Sequence, residues 1–404
     1  MWQKKGDQTQ EPQEKAMSDS LKLYRIIAEL VLNSKVRFHD KRCLVTFIWA
    51  VVCVILEKSV NISKWLAHRV GDAQAASKER QFVRWLDNSK INEIPIYRKL
   101  VRTALADWQG EKIYLALDTS CLWDRFVIVR LALVYRGRAL PLSWLILEHQ
   151  SASVAFEVYK PILKAAAGML PKGCQVILLA DRGFTDIELM KQARDLGWDF
   201  RIRLKKSMRV YRANKPSTKI GRLIPAKGQA LFLHKVWITD KFFGPVYLAL
   251  AHVKTAQGYQ EWAILSDDPT DLHTFDEYGL RFDVEENFLD DKSNGFQLES
   301  SQIRNAQSLS RLGLVLATAT LYLTSVGTAV VEFNLRKIVD THWQRGLSYF
   351  KIGWRWIQHA LSHSDWVLPF FWLGPGDDPF PVFASKRQAA KPLATFFQLR
   401  QEIY

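Results

Sequence analysis

Two apolar runs that each stop at an aspartate constrain this chain more than any other feature: IYLAL before Asp118 and QVILLA before Asp181. Short aliphatic and β-branched runs of this kind read as buried strands. Between them lie RFVIVRLALVYRG and RALPLSWLILEHQ, joined through Arg136-Gly137-Arg138, a hairpin signal. A helix over about 153–169, the QVILLA strand, a helix over about 186–196 and the strand WDFRIRLK complete the series. Three strands in a meander followed by alternating helix and strand predict an α/β fold, a mixed sheet with helices packed on it. Open α/β sheets place their ligands at strand ends. Asp118 and Asp181 are therefore candidate site residues, although either one alone reads more readily as a turn or cap residue.

A third carboxylate comes from YGLRFDVEENFLDDK. On a continuous helix, Tyr278, Arg281, Glu285 and Lys292 fall within about 60° of one another around the axis. Leu280, Val284 and Phe288 fall on another arc that can bury against a sheet. The polar face sets a carboxylate between two cations and a phenol, and Ser293-Asn294-Gly295 supplies a stop. An ordinary surface helix would make this face a set of weak ion pairs. In company with two strand-end aspartates it becomes a candidate site. Three carboxylates converging without metal would repel and drive their pKa values up. With Mg²⁺, which takes hard oxygen ligands and leaves positions for phosphate and water, they form a site. Two such ions can stabilise both the attacking and leaving oxygens of an in-line displacement at phosphorus.

The spacing Tyr278-x2-Arg281-x3-Glu285-x6-Lys292 resembles the Tyr-Arg-Glu-Lys signature of the bacterial insertion-sequence DDE transposases of the IS-four-like, hairpin-forming group. LDTS at Asp118 and ADRGF at Asp181 resemble the first and second aspartate motifs of that family. The resemblance runs in order from about residue 114 to 322. It implies an RNase H-like core in which Asp118, Asp181 and Glu285 are catalytic and hold two Mg²⁺ ions, with Mn²⁺ able to substitute. It implies that Arg281 and Lys292 grip phosphates beside Tyr278. Trp262, in EWAILSDDP, stands where the family often has a base-stacking Trp; a core Trp is the equal alternative. Phe282 departs from the Trp that many relatives carry. Glu286 follows Glu285 directly, so the choice of Glu285 rests on spacing. Asp124, Asp290 and Asp291 read as surface or cap residues, and His149, His252 and His273 have no metal-ligand spacing.

The formal charge of +15 favours a polyanionic partner. RIRLKKSMRVYRANKPSTKIGR has no acid, and Arg201, Arg203, Lys205, Lys206, Arg209 and Arg212 in it are candidates for a DNA-backbone channel; a solvated loop is the other reading. Four scattered cysteines fit a reducing cytosol. The expected organisation is a tail over 1–20, a helical DNA-binding domain over 21–108, and a catalytic domain over 109–330 with a β insertion at about 206–260. A helical, aromatic C-terminal region over 331–404 is a candidate dimerisation element. Within 61–88, an amphipathic helix, a break at Gly71 and a second helix opening near Ser77 with Lys78, Arg80 and Arg84 suit a helix-turn-helix-like reader or a helical bundle. The apolar run 312–331 is long enough to span a bilayer. Its four Thr, one Ser and two Gly favour a core helix. The expected activity is cut-and-paste transposition: cleavage at terminal inverted repeats of double-stranded DNA, hairpin ends and strand transfer, by a homodimer on DNA, in the bacterial cytoplasm at the nucleoid. An RNase H-like nuclease that does not transpose and an inactive, domesticated DNA-binding protein are the alternatives.

Overall fold

A computed structural model describes residues 18–255, 258–363 and 366–382, with the backbone of 398–402. Five helices come first: α1 (Asp19–Asn33), α2 (Lys41–Glu57), α3 (Ile62–Trp65), α4 (Ala75–Leu86) and α5 (Glu93–Ala104). The meander follows as β1 (Lys112–Leu122), β2 (Phe126–Tyr135) and β3 (Arg138–Glu148). The turn joining β2 to β3 is two residues, Arg136 and Gly137, both at positive φ, which matches the right-handed twist of the strands it joins. Then come α6 (Phe156–Ala167), β4 (Gln175–Ala180), α7 (Ile187–Asp195) and β5 (Asp199–Arg203). Helix α7 starts where the Asp186 carboxylate accepts from the Glu188 amide.

Five further strands follow: β6 (Arg209–Arg212), β7 (Lys215–Lys219), β8 (Gln229–Ile238), β9 (Phe243–Thr255) and β10 (Gly258–Ser266). The described sheet runs β3-β2-β1-β4-β5-β10-β9-β8-β6-β7, with β11 (Gln398–Glu402) against β8. The 206–260 segment thus extends the main sheet through β5–β10 pairing. Strand alternation gives this extension two apolar faces. Leu231, Leu233, Leu248 and Leu250 join the main core, while Phe232, Ala249, Ala251, Trp262 and Ile264 form a second cluster.

That second cluster is capped by Phe275 and Tyr278 of α8 (His273–Gly279). Helical backbone continues through a 3-10 turn, Leu280–Phe282, into α9 (Asp283–Leu289) and a π turn, Asp290–Asn294. The chain ends its described helices with α10 (Ala306–Glu332) and α11 (Tyr349–His363).

Helix α10 is long and apolar enough to cross a membrane, yet its most apolar window is wholly buried in the protein. Its hydroxyls are accommodated by bonding back one turn: Thr318 donates to the Leu314 carbonyl and Thr328 to that of Thr324. The helices of 21–108, expected as a separate module, share this core, and Tyr97 donates to the Pro141 carbonyl at 2.8 Å. Of the expected helix-turn-helix pair, the first helix is only the four-residue α3, with Trp65 buried.

Candidate active site

Strands β1 and β4 run parallel with Leu117 opposite Ala180, so Asp118 and Asp181 are the next residues on adjacent strands. Asp181 leaves its strand at once, and its carboxylate caps the turn by accepting from the Gly183 amide at 2.7 Å. Asp118 does not end its strand as expected: β1 continues to Leu122 because it remains paired with β2, Asp118 standing opposite Arg130. Glu285, on α9, completes the group. The Arg281 guanidinium donates to Asp118 Oδ2 at 3.1 Å and to Glu285 Oε1 at 2.8 Å.

Burial pushes the Asp118 carboxyl up to about 6; Asp181 and Glu285 push the same way, against Arg281 and the Thr119 amide. Both other carboxylates therefore act on Asp118, and Arg281, itself 6% exposed, opposes them there. Among the described residues, no group of three or more His, Cys, Asp or Glu side chains is placed to hold a metal ion. The donors are carboxylate oxygens, the ligand chemistry that a hard divalent cation takes, but in this conformation the three side chains are not arranged as ligands of one ion. Glu285, whose side chain is 53% exposed, has room to turn toward such an ion.

The helix carrying this face is not continuous α-helix, and the tightening and loosening of its turns redirects side chains. Tyr278 points into the second core cluster, fully buried, with its ring against Trp262 at 5.0 Å. Its hydroxyl faces the Arg203 and Arg281 guanidinium groups without a well-formed hydrogen bond to either. Lys292 donates to the Cys121 carbonyl at the end of β1. Asp290 and Asp291 are not surface residues: the π turn rotates both inward, where Asp291 pairs with Arg130 at 2.6 Å and Asp290 with Arg138 at 3.4 Å. Arg130 also donates to Asn287 at 2.6 Å, fastening α9 to the strand beside Asp118. Nothing in the spacing of the sequence marked Arg130.

Trp262 is buried between Tyr278 and Phe282, so no base can reach its face in this conformation. Of the expected basic channel, Arg201 is buried and bound to Glu277 at 2.9 Å and Asp268 at 3.6 Å. Lys206 pairs with Glu261, and Arg203 donates to the Glu261 carbonyl. Lys205 and Arg209 are exposed, and Arg212 is half-buried beside Thr218. Arg182, exposed immediately after Asp181, lies near Arg203; burial lowers the Arg203 pKa first, and Arg182 and Arg281 lower it further. The ADRGF motif was the signal that could have found Arg182.

Residues 125–322 match the model of the transposase DDE domain. The match supports a DDE transposase family; it takes in Asp181 and Glu285 and begins beyond Asp118. No curated protein matches the chain. Among solved structures, the chain is similar to the piggyBac transposase synaptic complex with hairpin DNA, determined by cryo-EM. The two share 12% identity at a TM-score of 0.38, over 94% of this chain and 90% of that one.

Proposed function

We propose that the protein is a DNA transposase of the Tyr-Arg-Glu-Lys type, built on an RNase H-like core, which cleaves at transposon ends and joins them to target DNA. The observation that carries this reading is that Asp181 and Glu285 both lie close enough to Asp118 to act on its carboxyl, with Arg281 bridging Asp118 and Glu285, within a chain whose 125–322 segment matches a transposase domain. Asp118, Asp181 and Glu285 would hold two Mg²⁺ ions, for which Mn²⁺ would substitute. Metal bound there would supply Lewis-acid stabilisation of the attacking and leaving oxygens at phosphorus.

The chain's own residues divide the remaining work. Arg281 neutralises Asp118 and Glu285 while they are free, and its two carboxylate bonds are those it would exchange for a DNA phosphate once the acids are otherwise compensated. Arg182 adds an exposed cation beside the second aspartate. Lys292, held at the end of β1, is the second phosphate contact that the signature assigns. The Asp118 carboxyl is raised by burial to about 6, and a cation held there would favour its ionised form.

In this reading the substrate is double-stranded DNA carrying terminal inverted repeats, and hairpin ends are the intermediates. A homodimer holds two ends together, the C-terminal region is a candidate contact, and the setting is the bacterial cytoplasm. The helices of 21–108 would read the ends, with Lys78, Arg80 and Arg84 on α4.

The test is divalent-metal-dependent cleavage of end DNA by the purified protein beside Asp118→Ala, Asp181→Ala and Glu285→Ala. Each substitution is expected to lower cleavage at least 1,000-fold, roughly the loss of ~4 kcal/mol of transition-state stabilisation, while DNA binding persists. Cleavage surviving in any variant removes that residue from the site. Products covalently joined to target DNA separate transposition from cleavage alone.

A further inference from the structure

Glu285 and Glu286 are neighbours in sequence, and on helix α9 they project about 100° apart around the axis. A roll of the helix by one residue would exchange one carboxylate for the other beside Asp118. Apolar packing resists such a roll only weakly, because it is non-directional, and α9 has just seven residues. Directional bonds must set which glutamate faces the site.

Two arginines supply them. Arg138 pairs with Glu286 at 2.9 Å and with Asp290 at 3.4 Å. Arg130 donates to Asn287 and to Asp291, both at 2.6 Å. Each guanidinium is thus held by side chains four residues apart, Glu286 with Asp290 and Asn287 with Asp291, which helical backbone stacks one above the other. A guanidinium is planar and presents its donors as a rigid fork, so each arginine fixes direction as well as distance. The inner fork is sealed from water: the Arg130 and Asp291 side chains are 7% and 3% exposed, and the Arg130 guanidinium lies 4.5 Å from the Phe288 ring. Arg130 also stands directly opposite Asp118 across the β1–β2 pair, which puts both side chains on one face of the sheet. The strand residue beside the first aspartate therefore grips the helix that brings the glutamate. Glu286 is taken up by Arg138, while Glu285 pairs with Arg281.

We propose that Arg130 and Arg138 are positioning residues of the carboxylate site: their two forks fix the roll of α9 so that Glu285, and not Glu286, is presented beside Asp118. The inference rests on the proposed function and adds to it the residues that select the third carboxylate.

Arg130→Met combined with Asp291→Leu removes the inner fork without leaving a buried charge alone, an exchange that is often neutral for stability. Arg138→Gln with Asp290→Asn loosens the outer fork and leaves only the half-exposed Glu286 to water. Mn²⁺ binding by the full chain is followed by electron paramagnetic resonance without DNA, and kcat and KM for cleavage of end DNA are measured in Mg²⁺. The inner-fork variant is expected to bind Mn²⁺ about tenfold more weakly. It is expected to lose about 100-fold in kcat with KM changed less than about threefold, because the fault is one of placement. Joined to Glu285→Gln, it is expected to bind Mn²⁺ no more weakly than Glu285→Gln alone, since an arginine that acts through Glu285 then has nothing to place. A merely structural arginine would give additive losses. Additivity overturns the proposal, as do parental Mn²⁺ affinity and kcat in the inner-fork variant. Should that variant not melt cooperatively, the outer-fork variant carries the same cycle with the same expectations. Mn²⁺ binding abolished by Glu286→Gln and kept in Glu285→Gln reverses the choice of glutamate and also overturns it. A parent that binds Mn²⁺ and cleaves, matched by both fork variants, overturns this proposal alone; a parent that does neither overturns the transposase reading with it.

Discussion

Asp290 sits almost sealed from solvent with Arg138 as its nearest cation, and burial pushes its carboxyl from the ordinary 3.8 to about 6. Between those two values the folded chain holds more protons than the unfolded one, so stability falls as pH rises through that window. Above it the full cost of a buried charge is carried. Asp290→Asn removes the titration. It is expected to be more stable than the parent at pH 8, by up to ~3 kcal/mol for a shift of about two units, and equal to it near pH 4. Urea unfolding at both pH values decides this; equal stability at pH 8 would mean that the ion pair with Arg138 repays the desolvation. The same residue shows why some side chains were misread. Spacing assumes one constant helical period, and the π turn at Asp290–Asn294 alters it, bringing Asp290 and Asp291 inward and carrying Lys292 to Cys121. Glu285 and Arg281 lie before that turn, and for them the expected neighbourhood held.

At the scale of elements, the contact between α10 and α11 is closed by two glycines. A Cβ at Gly353 would overlap the Leu323 carbonyl, and one at Gly327 the Tyr349 carbonyl, so backbone meets backbone with no side chain between. Gly353→Ala is expected to cost ~3 kcal/mol or more, because backbone cannot yield as a flexible side chain can. Gly279→Ala, in helical backbone with open space around it, is expected to be neutral or up to ~1 kcal/mol stabilising. Thermal melts of both variants followed by circular dichroism provide the comparison, and an unchanged midpoint for Gly353→Ala would mean that the helices can separate at little cost. The meander, its two-residue turn and the β4-α7-β5 alternation were legible because period and turn chemistry are carried along the chain. The long apolar run declared α10, but its burial on every side could not be read locally: α2, α5, α11 and β3 all lie against it.

Across the whole molecule, one apolar core extends from Leu23 to Leu373. Polar ties follow the same path: Trp354 Nε1 donates to the Ile55 carbonyl at 2.7 Å, and Trp108 Nε1 to that of Leu373 at 2.8 Å. Guanidinium unfolding is accordingly expected to show coincident transitions by tryptophan fluorescence and far-ultraviolet circular dichroism, with residues 109–404 alone failing to fold. Two separated transitions would make the N-terminal helices an autonomous unit. The sequence by itself determined the α/β class, the order of strands around Asp118 and Asp181, and the helix that brings Glu285, because hydrophobic period and motif spacing are properties of neighbours along the chain. Only the tertiary structure decided which charges are spent inside and which face solvent. Arg201 is neutralised by Glu277, Trp262 is covered by Tyr278, and Asp118 is kept within its strand by its pairing with β2. Desolvation and neutralisation depend on groups that packing brings together from distant parts of the chain, and no local pattern records them.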